Sequence, residues 1–194
     1  EDCTIRVLED NQPYVSRGGI KLEHGLKKFN IPLSKKIAVD IGASTGGFTD
    51  CLLQHGIDKV FAVDVGYGQL DWKLQTDSRV VTLDRKNARD LSLTDIKELV
   101  DLVVIDASFI SLRIIIPPAI NLLKPEGDLI ALVKPQFEVG KQEVENKGII
   151  KNPQKHLGVL IGLNSFMKQQ GWPITNIAIS PITGQKGNRE FLIH

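Results

Sequence analysis

Short apolar runs alternate with amphipathic segments along most of this chain. Runs near 36–40, 59–64, 79–83, 101–106, 127–134, 174–180 and 189–193 read as strands. Between them, segments 19–29, 46–55, 93–99, 112–123 and 153–170 carry the spacing of helices. Leu102-Val103-Val104-Ile105 and Leu129-Ile130-Ala131-Leu132-Val133 are unbroken apolar runs, each entered through an aspartate, Asp101 and Asp128. Strands covered on both faces of a parallel sheet read this way, because neither side faces water. Gly56 reads as a helix stop, and Ser92 three residues before Asp95 as a helix start. The alternation predicts an α/β fold, a doubly wound sheet with helices on both faces.

The end of the chain breaks the pattern. The last two strands are separated only by Pro181-Ile182-Thr183-Gly184-Gln185-Lys186-Gly187-Asn188, which is too short for a helical crossover. They are therefore expected to be antiparallel. By fold analogy, a mostly parallel seven-stranded sheet ending in an antiparallel hairpin is the Rossmann-like organisation of S-adenosylmethionine (SAM)-dependent methyltransferases.

The turn after the first strand points the same way. Asp40-Ile41-Gly42-Ala43-Ser44-Thr45-Gly46-Gly47-Phe48-Thr49-Asp50 joins an apolar strand, a carboxylate, a glycine-rich turn and a helix. Such a turn brings backbone close to a nucleoside and offers it free N–H groups. Gly42 is followed by Gly46 and Gly47, so the dinucleotide spacing G-x-G-x-x-G is not met. A looser turn suits SAM, which has no pyrophosphate to cradle.

Ligands of open parallel sheets lie beyond the carboxyl ends of the strands. Asp40, Asp64, Asp106 and Lys134 each occupy the last position of a predicted strand, and Glu190 opens the antiparallel strand at the same edge. Asp64, ending the second strand, is suited to accept both hydroxyls of a ribose. Simpler roles stand beside these: Asp40 and Asp64 as helix caps, Asp106 as a turn residue, Lys134 as a polar strand end, Glu190 as surface. Asn87 reads equally as a turn residue and as an adenine contact.

Composition narrows the class further. The 194 residues are 42% hydrophobic, enough for one cored domain, and no apolar run approaches the ~18–20 residues that span a bilayer. Cys3 and Cys51 make no metal or disulfide framework, which favours a reducing, cytoplasmic setting. Lys and Arg number 24 against 23 Asp and Glu, so any RNA site must be a local patch. Arg17, Lys27, Lys28, Lys35, Lys36, Lys141, Lys147 and Lys151 are candidates for that patch, and equally for ordinary solvated charge. The stretch 136–151 reads as either a connector or a substrate lid.

Six segments in order give the chain a specific resemblance. They are Tyr14-Val15-Ser16-Arg17-Gly18-Gly19, the glycine turn 40–50, Ala62-Val63-Asp64-Val65-Gly66-Tyr67-Gly68-Gln69-Leu70, Asp106-Ala107-Ser108-Phe109-Ile110-Ser111-Leu112, Val133-Lys134-Pro135-Gln136-Phe137-Glu138 and Gly187-Asn188-Arg189-Glu190. From about Tyr14 to the end the chain resembles the haemolysin-A (TlyA) family of ribosomal-RNA 2′-O-methyltransferases, within the FtsJ-like group. The resemblance implies a catalytic Lys-Asp-Lys-Glu set at Lys21, Asp106, Lys134 and Glu190. It implies SAM contacts from Asp40, Gly42, Gly46, Gly47, Phe48, Asp64, Asn87 and Asp106. It also implies a ribosomal RNA or ribosomal-subunit substrate, with cytidine expected as the target, and no membrane partner. Family members carry an S4-type RNA-binding domain upstream, so residues 1–13 are expected to be its linker and 14–194 the methyltransferase domain.

Methyl transfer to a ribose hydroxyl asks the protein to position that hydroxyl and remove its proton. A lysine acts as base only when neutral; a second lysine and a sulfonium favour that form, and carboxylates oppose it. Lys134 is the expected base, with Lys21 and Glu190 orienting the hydroxyl and Asp106 bridging towards the cofactor. His24, His55, His156 and His194 lack metal-ligand spacing and read as surface or capping residues, so no metal is expected; Cys51 reads as core. Three rival readings remain, and one of them, a SAM-binding domain that has lost activity, is opposed by the complete Lys-Asp-Lys-Glu set. A nicotinamide oxidoreductase is opposed by the glycine spacing, and a membrane-lytic protein by the lack of a spanning or long basic amphipathic segment.

Overall fold

The computed structural model describes residues 12–140 and 148–194. Strands β1 (Ile37–Ile41), β2 (Lys59–Val63), β3 (Val80–Leu83), β4 (Val100–Ile105) and β5 (Leu123–Val133) run parallel, while β7 (Phe191–Ile193) lies antiparallel to both β5 and β6 (Ile177–Ile179). The order β3-β2-β1-β4-β5-β7-β6 reverses direction of winding at β1, between β2 and β4. This is the seven-stranded, mostly parallel sheet with a closing antiparallel hairpin that the sequence pattern predicts.

The unbroken apolar strands feed two cores because alternate side chains point to opposite faces. Val39, Ile41, Val103, Ile105, Ala131, Val133 and Ile193 meet helices α5 (Leu112–Ile120) and α7 (Pro153–Gln169) on one side. Ala38, Leu102, Val104, Ile130, Leu132 and Leu192 meet α1 (Gly18–Phe29) and α2 (Gly47–Gln54) on the other. Cys51 is fully buried in this second core, and burial pushes its thiol up to about 12, which makes it an inert packing residue.

Several boundaries move. The helix expected over 93–99 is only the single turn Leu93–Ile96, entered by a Ser92–Asp95 capping box and ended by Lys97 in a left-handed conformation. The helix expected to reach 123 stops at Ile120, with Pro117 and Pro118 inside it, and Leu123 already pairs with Val100. Between Leu123 and Asp128 the β4–β5 register shifts. Two further short helices appear (called α3 and α6, the turn Leu93–Ile96 being α4): Trp72–Gln75 where no element was assigned, and Pro135–Glu138 at the start of the stretch read as a connector or lid.

The strand ends also shift by one residue. β1 runs on through Ile41, which pairs with Val63 and Ile105. Asp40 is therefore inside the strand rather than at its end and is fully buried beneath α2. Asp64, Asp106 and Lys134 stand one residue beyond their strands, and Glu190 one residue before β7. All five still belong to the same sheet edge.

Candidate active site

Four elements deliver the four charged groups. Lys21 comes from the first turns of α1, which is seated by Tyr14, whose ring packs directly on Gly19, and by Asp50, which accepts from the Val15 N–H at 2.8 Å. Asp106 follows β4, Lys134 follows β5, and Glu190 precedes β7, where the pairing of Val133 with Phe191 sets Lys134 and Glu190 side by side.

The set closes as two ion pairs. Lys21 Nζ lies 2.5 Å from Glu190 Oε2, with both side chains almost enclosed. Lys134 Nζ lies 2.6 Å from Asp106 Oδ1 and donates to Ser108 Oγ at 2.8 Å. Gly184 makes room for the first pair, since a Cβ there would sit 2.1 Å from Glu190 Oε1. Behind Glu190, buried Asn188 accepts from the Ile150 N–H and donates to the Gly148 carbonyl, both at 2.9 Å. His156 is part of this support. It is buried, hydrogen-bonded to the Ile150 carbonyl at 2.9 Å and edge-on to Phe191, not a surface or capping histidine.

These groups line a cavity of about 500 Å³, a volume suited to a small organic ligand. Of the residues singled out from sequence, Lys21, Gly42, Gly47, Phe48, Asp106, Lys134 and Glu190 line it. Asp40 lies beneath rather than on the lining, Gly46 caps α2, and Asp64 binds the backbone N–H groups of Ser44 and Gly66 at 2.8 and 2.7 Å. Asn87 is exposed and accepts from the Arg89 N–H as the cap of a 3-10 turn. Arg17, singled out only for a basic patch, lines the cavity too, and Ser16, Ser108, Phe109, Gln136 and Phe137 also line it without having been singled out. Their signal was adjacency, since each lies within five residues of Lys21, Asp106 or Lys134.

The proposed basic patch does not hold together. Lys35 and Lys36 precede β1 and so lie at the opposite sheet edge, where Lys36 pairs with Asp128 at 3.0 Å. Lys27 pairs with Glu23 along α1, Arg17 alone of the set lines the cavity, and Lys141 and Lys147 lie outside the described residues. The 136–151 stretch begins as α6 and is pinned again at Gly148 and Ile150; its centre, 141–147, also lies outside them, as does 1–11 of the expected linker.

The electrostatics of the glycine turn favour a cation. Burial pushes the Asp40 carboxyl up to about 7, the charges of Asp106 and Asp64 push the same way, and the Thr49 hydroxyl at 2.7 Å pulls it partly back. Asp40 Oδ1 has no hydrogen-bond partner. Gly42 holds φ +83° with the Asp106 carbonyl 2.7 Å from where a Cβ would be, so the turn closes tightly only with glycine. Carboxylates of Asp64 and Asp106 beside a close-approach turn fit a nucleoside that carries positive charge, as SAM does.

Residues 14–194 match the family model described as FtsJ-like methyltransferase. A Bacillus subtilis protein, YqxC, whose name proposes an rRNA methyltransferase, is 51% identical over all 194 residues, which span 69% of it. The 16S/23S rRNA (cytidine-2′-O)-methyltransferase TlyA of Mycobacterium tuberculosis is 42% identical over 187 residues, 96% of this chain and 70% of that protein. A solved structure from Streptococcus thermophilus that carries a hemolysin name superposes with a TM-score of 0.91 at 44% identity, over 96% of this chain and 68% of that one.

Proposed function

Since the chain belongs to the FtsJ-like methyltransferase family, we propose that it transfers the methyl group of SAM to a ribose 2′-hydroxyl of ribosomal RNA, with cytidine as the target. The observation that carries this reading is the meeting of Lys21, Asp106, Lys134 and Glu190 as two ion pairs on the wall of one cavity. The relatives named as rRNA (cytidine-2′-O)-methyltransferases support the choice of substrate, and an RNA substrate of that kind puts the reaction in the cytoplasm.

SAM, when bound, supplies a methyl group already activated on a sulfonium. Gly42, Gly47 and Phe48 would cradle it, Asp64 would take the ribose hydroxyls, and Asp40 and Asp106 would balance its positive charge. Lys134 holds the substrate hydroxyl and, as the neutral amine, takes its proton while the methyl group passes from the sulfonium to the hydroxyl oxygen and the thioether leaves. The Lys21–Glu190 pair orients that hydroxyl from the other side, with Lys21 donating and Glu190 accepting. Asp106 fixes the direction of Lys134 Nζ. The exposed Phe109 and Arg17 at the cavity rim face an incoming strand.

A calorimetric titration tests the cofactor. SAM is expected to bind with micromolar affinity that Asp64→Ala abolishes, and NADH is expected to give no heat. Incubation with labelled SAM and ribosomal RNA or subunits tests the reaction. Lys134→Ala should keep less than a few per cent of wild-type transfer, and substantial retained activity would remove Lys134 from the role of base.

A further inference from the structure

Glu138 has no place in the reaction just described, yet its carboxylate is half-buried and committed. Oε2 accepts from the Ser111 hydroxyl at 2.7 Å and Oε1 from the Leu112 N–H at 2.8 Å, at the entrance of α5. It stands at the far end of α6 from Lys134, whose Nζ donates to Ser108 Oγ. Between these two stitches Phe137 packs against Phe109, ring centroids 5.0 Å apart. The loop after β4 and the turn after β5 are thus joined at three successive points. Within the joined loop Phe109 holds φ +63°, a left-handed conformation that a bulky residue keeps only under outside restraint.

We propose that Glu138 is a positioning residue: it holds the Ser108–Ser111 loop against the β5 turn, so that Ser108 stays in place to fix Lys134 Nζ. The inference rests on the methyltransferase reading above. Burial raises the Glu138 carboxyl from its ordinary value, while the two hydrogen bonds and the charge of Arg113 hold it back. The site is costly for a charge, and the geometry of the two donors sets what it does.

The length of the side chain is the variable to test, in the full-length protein. Glu138→Ala and Glu138→Asp, which pulls the carboxylate back by one carbon, are each expected to lower kcat by about ten- to a hundredfold, as misplacement of a catalytic group does. KM for SAM and for RNA should stay within about threefold, because nothing that binds them directly has been removed. Glu138→Gln, of native length and still an acceptor for the Leu112 N–H, should recover most of the activity. Ser108→Ala should reproduce the loss. Glu138→Ala combined with Ser108→Ala should fall no further than Ser108→Ala alone, since both act through one contact.

A normal kcat in Glu138→Asp overturns the proposal. So does a Gln variant no better than Ala, or losses that multiply in the double variant. Should Glu138→Ala fail to fold, the Gln, Asp and Ser108→Ala variants decide the same question. An inactive wild-type protein would instead refute the reaction itself.

Discussion

Lys21 and Glu190 are the two most enclosed of the four charged residues in the two ion pairs, and each is the other's main compensation. Truncating either alone to Ala strands a buried charge and is expected to cost about 3–5 kcal/mol of stability. Replacing both together, Lys21→Met with Glu190→Leu, should restore most of that stability and none of the methyl transfer. Denaturant unfolding beside an activity assay separates the two effects; a double variant as unstable as the singles would contradict the account. Asp40 offers a pH test. Its folded pKa of about 7 lies above its ordinary value near 4, so between those pH values the folded chain holds a proton that the unfolded chain has lost. Its contribution to stability therefore falls as pH rises through that window. Asp40→Asn should flatten the decline in Tm between about pH 5 and 7, and an unchanged slope would show that Asp40 does not titrate there. The sequence made the types and numbers of the four charged residues readable, through motif order. It did not reveal that Asp40 is enclosed, because a single further residue of pairing at Ile41 decides that.

At the scale of elements, the active edge depends on how loops are tied to one another. Asn188 bonds both Ile150 and Gly148 through backbone groups and so ties the returning end of the post-β5 loop to the start of β7. Asn188→Ala leaves the buried Ile150 N–H and the half-buried Gly148 carbonyl without this partner, with an expected cost of about 1–3 kcal/mol. Hydrogen exchange should show the Ile150 amide opening earlier than the β5 amides, and unchanged protection there would contradict this role. Strand positions were legible because buried parallel strands leave long apolar runs, and helix α7 because its pattern extends over seventeen residues. The single turns α3 and α6 were not, since four residues carry too little periodicity to read, and α4 was legible at its Ser92–Asp95 start but not in its length. The contacts between loops were likewise hidden. Nothing in the spacing of Lys134, Glu138, Ser108 and Ser111 says that the two segments lie alongside each other.

For the molecule as a whole, one architectural fact organises the chemistry: parallel strands all finish at one edge, and the final antiparallel strand starts there. That rule makes the convergence of Asp64, Asp106, Lys134 and Glu190 readable from strand order alone. It also explains why charges that looked alike in the sequence separate, with Lys35 and Lys36 sent to the opposite edge. Among the described residues no helix is long and apolar enough to cross a membrane. The most direct test is to incubate the protein with methyl-labelled SAM and ribosomal RNA or subunits and then hydrolyse the RNA in alkali. A ribose 2′-O-methyl group blocks cleavage at its own nucleotide, so the account predicts label in an alkali-resistant dinucleotide beginning with cytidine, absent with Lys134→Ala. Label recovered entirely in mononucleotides would place the methyl on a base and contradict the proposed chemistry.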